Sequence, residues 1–173
     1  MSTVERLGYD EINNRDLYLI DLATADELPG DIPISSDDFA CFLAWDSGSE
    51  SVETIVDLAE IILDAGCAYL CAWGDECERV HDIFDEVEVG GDPDPEDKSV
   101  VMTTWHDGES LDEGLWFFLN CTWPDDHYFE NCRAAIVISI GGKEAWLDRI
   151  RFALEHPYQF NRQVLDHDED ESK

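Results

Sequence analysis

The chain has 173 residues, of which 44% are hydrophobic and 11% aromatic, so it is long enough to bury a core and is globular in composition. It carries 42 Asp and Glu against 10 Lys and Arg, a formal net charge of −32. This charge excludes direct nucleic-acid binding, which depends on Lys and Arg that neutralise phosphates. No apolar run approaches the ~20 residues that span a bilayer, and none follows a basic N-terminal region, so we expect a cytoplasmic protein without membrane contact.

Strand and helix patterns alternate along the chain. An apolar run at 16–23 predicts a first strand, and a loop rich in Pro, Gly and Ser leads to a second strand at 39–45. The apolar period then becomes that of a helix over 51–66. The same alternation predicts further strands at 68–73, 99–105 and 134–141 and further helices at 75–87, 110–123 and 143–156.

Near-continuous apolar strands between amphipathic helices are typical of a mostly parallel sheet buried on both faces. We therefore expect an α/β fold: an open three-layer α/β/α sandwich of about five mainly parallel strands, flavodoxin-like or Rossmann-like. A single domain is predicted over 1–162, followed by an acidic disordered tail at 163–173. The first strand is expected at an edge of the sheet, without an assigned direction. The segment 88–98 is expected to be an exposed connection.

Three predicted strands end alike, in the stretches LAWDSGS, CAWGDEC and TTWHDGES. Each places a tryptophan at the carboxyl end and an acid one or two residues later. Because the carboxyl ends of strands in an open α/β sheet meet at the crevice where ligands bind, we expect a ligand or partner edge there. Its predicted residues are Trp45, Asp46, Trp73, Asp75, Trp105, His106 and Asp107. Taken singly, each ending is also typical of an N-cap and of a tryptophan that closes a core.

Cys77 and His81 lie four residues apart on a predicted helix and therefore share a face. The helix N-terminus would favour the Cys77 thiolate, so the pair fits a nucleophile and a base. Cys77 also adjoins the apolar stripe of that helix, and we rank ordinary packing above a reactive pair. All six cysteines are expected to be free thiols, since several lie in or beside apolar runs, and no paired C-x-x-C spacing predicts a metal site.

The charge indicates a function in binding, because solubility of a small domain needs a net charge of only about 2–8. We expect a non-catalytic acidic protein without a cofactor that neutralises or regulates a basic protein partner: an inhibitor, an immunity or antitoxin-like protein, or a nucleic-acid mimic. The alternative is a small α/β enzyme or ligand-binding domain whose acidic edge holds Mg²⁺ on Asp46, Asp75 and Asp107. A third interpretation is acidity for solubility alone, with no partner.

The segments CAWGDECERVHDIFDE and MTTWHDGESLDEGLWFFL resemble members of an uncharacterised bacterial family of small acidic cytoplasmic proteins, a domain of unknown function. The resemblance covers residues 67–120. It implies a bacterial origin and a single unit. It implies no activity and no catalytic residue for this chain.

Overall fold

The computed structural model describes residues 3–90 and 99–172. Within these ranges a six-stranded sheet is covered by helices on both faces, so the predicted α/β sandwich is confirmed with one strand more than expected. The strands are β1 (Val4–Asp10), β2 (Arg15–Leu22), β3 (Asp38–Trp45), β4 (Cys67–Trp73), β5 (Met102–Trp105) and β6 (Cys132–Ile140). The helices are α1 (Val52–Asp64), α2 (Cys77–Gly90), α3 (Leu111–Cys121), α4 (Asp126–Phe129), α5 (Glu144–Glu155) and α6 (Pro157–Glu171), with a 3-10 turn at Ala25–Glu27.

The sheet order is β1-β2-β6-β3-β4-β5, and every neighbouring pair is parallel except β1 with β2. The first predicted strand is β2, which lies inside the sheet and parallel to β6, so its expected edge position is wrong. The edge is β1, joined to β2 by a tight turn in which Asn14 takes a left-handed backbone conformation with φ of 55°. The sequence pattern missed β1 because an edge strand is half-exposed and carries Glu, Arg and Gly among its apolar residues.

The strand order differs from the flavodoxin-like and Rossmann-like orders that we expected. In both of those folds the first and second parallel strands are neighbours. Here the last strand, β6, lies between β2 and β3 and pairs with both. The protein therefore shares the layers of those folds but not their strand order.

Each face of the sheet has its own buried core. Helices α1 and α2 pack on one face and bury a set that includes Ile55, Ile62, Val80 and Phe84. Helices α3, α5 and α6 pack on the opposite face and bury a set that includes Phe118, Ile150, Leu154 and Phe160. Among the described residues Asp10 is the one buried carboxylate, so the acids lie on the solvated surface, where their mutual repulsion is weakest.

Helix α6 occupies most of the segment that we expected to be a disordered tail. It runs to Glu171, and Val164 is buried within that segment, so the expectation of disorder is corrected for residues 163–172. Helix α2 likewise extends to Gly90, into the connection predicted at 88–98, whose remaining residues lie outside the described ranges. None of the helices in the described ranges has the length and apolar character needed to cross a bilayer.

Candidate functional site

The carboxyl ends of β3, β4 and β5 lie side by side at one edge of the sheet. Trp73 is the register partner of Ala44, and Trp105 is the partner of Ala72. Because these strands are parallel neighbours, Trp45, Trp73 and Trp105 all end at that same edge. The three stretches that the sequence singled out are therefore adjacent in space.

The three tryptophan side chains, however, do not form one surface. Trp45 is 3% exposed and belongs to the core beneath α1 and α2. Trp105 is 45% exposed on the same side, where its ring lies 4.5 Å from that of His81. Trp73 points to the opposite face, against Trp146 with ring centroids 4.9 Å apart. Of the three, Trp73 alone lines the cavity described next.

A cavity of about 260 Å³ opens at this edge between the loops that follow β4 and β5. These loops diverge because α2 packs on one face of the sheet and α3 on the other, which is the arrangement that opens a crevice in α/β sheets. We call it the carboxylate cavity; its lining residues are Asp46, Trp73, Gly74, Asp75, His106, Asp107, Gly108 and Glu109. Five of the seven predicted edge residues are in this set.

Four carboxylates and one histidine line the carboxylate cavity, and no Lys or Arg of the described residues does. The sequence analysis missed Glu109, although its spacing of three residues after His106 is a usual spacing for a pair in a turn. Arg79 lies outside this lining; its guanidinium donates to the backbone oxygen of Glu50 at 2.8 Å and so holds the loop after β3. The lining of the cavity is therefore strongly acidic.

Backbone geometry fixes the loops around the carboxylate cavity. Gly74 has φ of 115°, and a Cβ atom there would lie 2.3 Å from the backbone oxygen of Trp45, so the position requires glycine. Asp46 accepts a hydrogen bond from the backbone N–H of Asp75 at 2.8 Å, which joins the loops after β3 and β4. The Trp73 indole N–H donates to the backbone oxygen of Glu109 at 2.9 Å and joins the loop after β5.

His106 is buried and held at both ring nitrogens. Nδ1 lies 2.8 Å from Oε2 of Glu109, and Nε2 lies 3.0 Å from the hydroxyl oxygen of Thr104. The ring packs against Phe117 with centroids 4.8 Å apart. A carboxylate, an imidazole and a hydroxyl therefore form one hydrogen-bonded chain, of which Glu109 and His106 line the cavity.

Cys77 and His81 do not form a paired site in the structure. Cys77 is buried in the core under α2, and burial raises the pKa of its thiol despite backbone N–H groups that lower it, which favours the higher-ranked interpretation of ordinary packing. His81 is also buried rather than at the surface; its Nδ1 lies 3.0 Å from Asp82 and its Nε2 3.5 Å from Asp85. The contacts of this histidine are with acids and Trp105, which agrees with ordinary packing of the thiol. All six cysteines are free.

The geometry offers no support for the Mg²⁺ alternative. Across residues 3–90 and 99–172, no three His, Cys, Asp or Glu side chains are grouped to hold a metal ion. Asp46, Asp75 and Asp107 line one cavity without forming such a group. An organic cation, which needs spread negative charge rather than a tight oxygen cage, fits this arrangement better.

One protein family matches most of the chain. The profile of a family described as "Domain of unknown function (DUF7684)" matches residues 17–157. No curated protein matches the chain, and no solved structure does. The matched segment extends well beyond the 67–120 that carried the resemblance; it contains most of β2, all of β3 to β6 and every residue that lines the carboxylate cavity. The chain belongs to the DUF7684 family, a domain of unknown function.

Proposed function

We propose that this chain is a non-catalytic acidic binding protein that neutralises or regulates a basic protein partner, and that the carboxylate cavity receives a cationic side chain of that partner. A cytoplasmic location in a bacterial host is part of the proposal. The lining of the cavity is the observation that supports the proposed binding of a cation. It contains four carboxylates and an indole, and it contains no Lys or Arg of the described residues.

The size and chemistry of the carboxylate cavity suit one Arg or Lys side chain. Its volume of about 260 Å³ is below that of cavities that hold drug-sized ligands, which begin at about 300 Å³. Trp73 supplies an aromatic ring, and rings attract cations through their negative faces. The free carboxylates of Asp75 and Asp107 then supply the counter-charge, since neither side chain has a partner in an ion pair among the described residues.

The rest of the surface supports association with a basic protein. Nearly all the acids lie in solvent, so the field of the −32 charge reaches outward and steers a cationic partner toward the chain. A surface dense in carboxylates also resembles the phosphate array of a nucleic acid, which favours a partner that itself binds nucleic acids. The cavity then provides the specific anchor within a mostly electrostatic interface.

The cavity is tested first with a small probe. N-acetylarginine amide is titrated into the full chain by NMR, with N-acetylcitrulline amide as a neutral probe of the same shape. We expect saturable shifts at residues of the cavity with the arginine probe only. The double variant Asp75→Asn/Asp107→Asn should abolish them, and Asp57→Asn/Asp166→Asn, which removes the same charge from exposed helical positions, should not. Equal binding of both probes would refute recognition of a cation.

The partner is tested with the same variants as bait in native lysate. The wild-type chain and the Asp57/Asp166 control should retain a basic protein stoichiometrically at about 50 mM salt and release it near 0.5 M, because salt shortens the screening length. The Asp75/Asp107 variant should not retain it. Retention by all three baits would show that the interface lies elsewhere, and retention by none would favour acidity for solubility.

A second candidate function is favoured by the hydrogen-bonded chain of Glu109, His106 and Thr104. Carboxylate, imidazole and hydroxyl are connected in the order found in serine hydrolases, in which the imidazole activates the hydroxyl as a nucleophile. This enzyme would act on a cationic substrate bound in the carboxylate cavity. A fluorophosphonate probe should then add its mass to Thr104, and His106→Asn should prevent it. An unlabelled Thr104 in the folded wild-type chain would exclude this candidate.

A further inference from the structure

A second cavity, of about 160 Å³, lies at the other end of the parallel strands, where β2 and β6 begin. We call it the arginine cavity; its lining residues are Ile12, Asn13, Asn14, Arg15, Trp123, Phe129, Cys132 and Arg133. None of them was among the residues that the sequence analysis selected. The proposed function uses the other edge and the opposite charge, so it does not account for this cavity.

Arg15 is a buried cation that forms no ion pair within residues 3–90 and 99–172. It is 6% exposed, and two of its nitrogens donate to the hydroxyl and the backbone oxygen of Thr122. Its Nε–H is buried and has no hydrogen-bond partner in the described part of the chain. Asp10, opposite Arg15 in the β1–β2 turn, uses its carboxylate oxygens on Ile12 and Asn13 instead. A buried charge that lacks an opposite charge is unfavourable, so a bound anion would stabilise this site.

A second arginine lines the same cavity. Arg133 follows Cys132 at the start of β6 and also lines the arginine cavity, and it forms no ion pair with any described acid. Both charges act on the Cys132 thiol: burial raises its pKa most, Arg15 and Arg133 lower it, and the Asp38 carboxylate raises it. In a chain with about four times as many acids as bases, two arginines that line one cavity and form no ion pair with a described acid are a distinctive feature.

An apolar rim borders these charges. The rings of Trp123 and Phe129 are stacked, with centroids 6.4 Å apart and planes at 18°. Both are at least half exposed, and Ile12 beside them is more exposed still. Exposed apolar groups next to donors of hydrogen bonds are the usual lining of a small-molecule site, where a few polar groups orient an otherwise apolar ligand.

We propose that the arginine cavity binds a small carboxylic acid that carries one apolar ring. The carboxylate faces the guanidinium groups of Arg15 and Arg133, which match its planar geometry, and the ring packs on Trp123 and Phe129. The volume suits this ligand, because a protein cavity of about 150 Å³ holds one benzene molecule. The charge of the whole chain opposes an anion only weakly, since at about 0.15 M salt charges beyond ~8 Å are screened.

Benzoate is the probe that tests the site, with benzamide as its neutral counterpart and acetate as the carboxylate without a ring. Each is titrated into the full chain at physiological salt and followed by NMR. Benzoate should shift the Trp123 indole signal and the backbone signals of Cys132 and Arg133 saturably. Benzamide and acetate should each bind more weakly by at least about fivefold, the loss expected for an ionic or a stacking contact. Benzamide that binds as tightly as benzoate, or a benzoate titration without saturable shifts, would overturn the proposal.

Variants locate the binding to the arginine cavity. Arg133→Gln should weaken benzoate binding by at least about threefold, and Trp123→Ala by about fivefold. Both side chains are exposed, so the variants should keep the fold, as checked by circular dichroism. Arg162→Gln removes one exposed positive charge outside the cavity and should leave the affinity unchanged. Equal losses in Arg133→Gln and Arg162→Gln would reduce the effect to general charge attraction and contradict the site.

Discussion

Arg15 donates two hydrogen bonds to a single residue, Thr122, one to its hydroxyl and one to its backbone oxygen, each 2.9 Å long. The Thr122 hydroxyl in turn donates to the backbone oxygen of Phe118 at 2.8 Å. The two residues are 107 positions apart in sequence. The contact therefore connects the start of β2 to the residue that follows α3.

Thr122→Val should destabilise the protein, because it removes the hydroxyl that accepts from the buried Arg15 guanidinium. Loss of a buried hydrogen bond to a charged group lowers the free energy of unfolding by about 2–3 kcal/mol. Thr103→Val is the control: its hydroxyl donates to Asp85 in a half-buried position, and about 1 kcal/mol should be lost. Urea unfolding measures both variants, and an equal loss would contradict the special role of Thr122.

Gly74→Ala should destabilise the fold and distort the carboxylate cavity. Its left-handed backbone and the contact of a new Cβ with the backbone oxygen of Trp45 should together lower the free energy of unfolding by at least about 2 kcal/mol. Gly108→Ala is the matched control. It also has positive φ, but no atom lies within 4 Å of the added Cβ, so about 1 kcal/mol should be lost. If the control loses as much as Gly74→Ala in urea unfolding, the close contact is not what requires glycine.

Alkaline pH should destabilise the protein through its buried thiols. Burial raises the pKa of Cys71 to about 12 and also raises that of Cys41. Because an unfolded thiol titrates near pH 8.5, its contribution to stability is complete below that pH and is lost as the pH rises toward the folded-state pKa. Ionisation of each such thiol in the unfolded chain should lower the free energy of unfolding by on the order of 2 kcal/mol by about pH 10. Urea unfolding at pH 7 and pH 10 under reducing conditions should show a smaller decrease for Cys71→Ala than for the wild type.

Phe160→Ala should show that α6 is part of the fold. Phe160 is fully buried against the core beneath α3 and α5, so its truncation should lower the free energy of unfolding by about 3–5 kcal/mol. Deletion of residues 166–173 should change it by less than about 0.5 kcal/mol, because the described side chains there are exposed. A neutral Phe160→Ala variant in thermal unfolding would mean that α6 does not pack as described.

Thiol labelling should distinguish packing from reactivity at Cys77. Cys121 is partly exposed and the other five cysteines are buried, so iodoacetamide should modify Cys121 first in the native chain. His81→Ala should leave the slow labelling of Cys77 unchanged, since His81 contacts acids and Trp105 instead. Peptide mass spectrometry gives the rates. Fast labelling of Cys77 that depends on His81 would restore the reactive pair.

Local signals in the sequence were enough to predict much of the candidate site. The capping box of Ser110 and Glu113 begins α3 within the helix predicted at 110–123, and each acidic stretch follows a strand at the predicted edge. Five predicted residues line the carboxylate cavity because parallel neighbours in a sheet end together. The sequence did not predict which way each tryptophan points. Trp73 is opposite Ala44, one position before Trp45, and a shift of one residue in a strand reverses the face of a side chain.

By itself, the sequence determined the alternation of strands and helices, the sandwich of layers and the acidic surface, since these follow from apolar periodicity and from charge. Only the tertiary structure decided that β6 lies between β2 and β3, that β1 forms the edge, and that α6 packs past Phe160. The tertiary structure also decided where the arginine cavity forms, because the β1–β2 turn and residues more than a hundred positions later line it together. Pairing and burial of this kind depend on contacts between distant segments, and no local pattern of residue types specifies them.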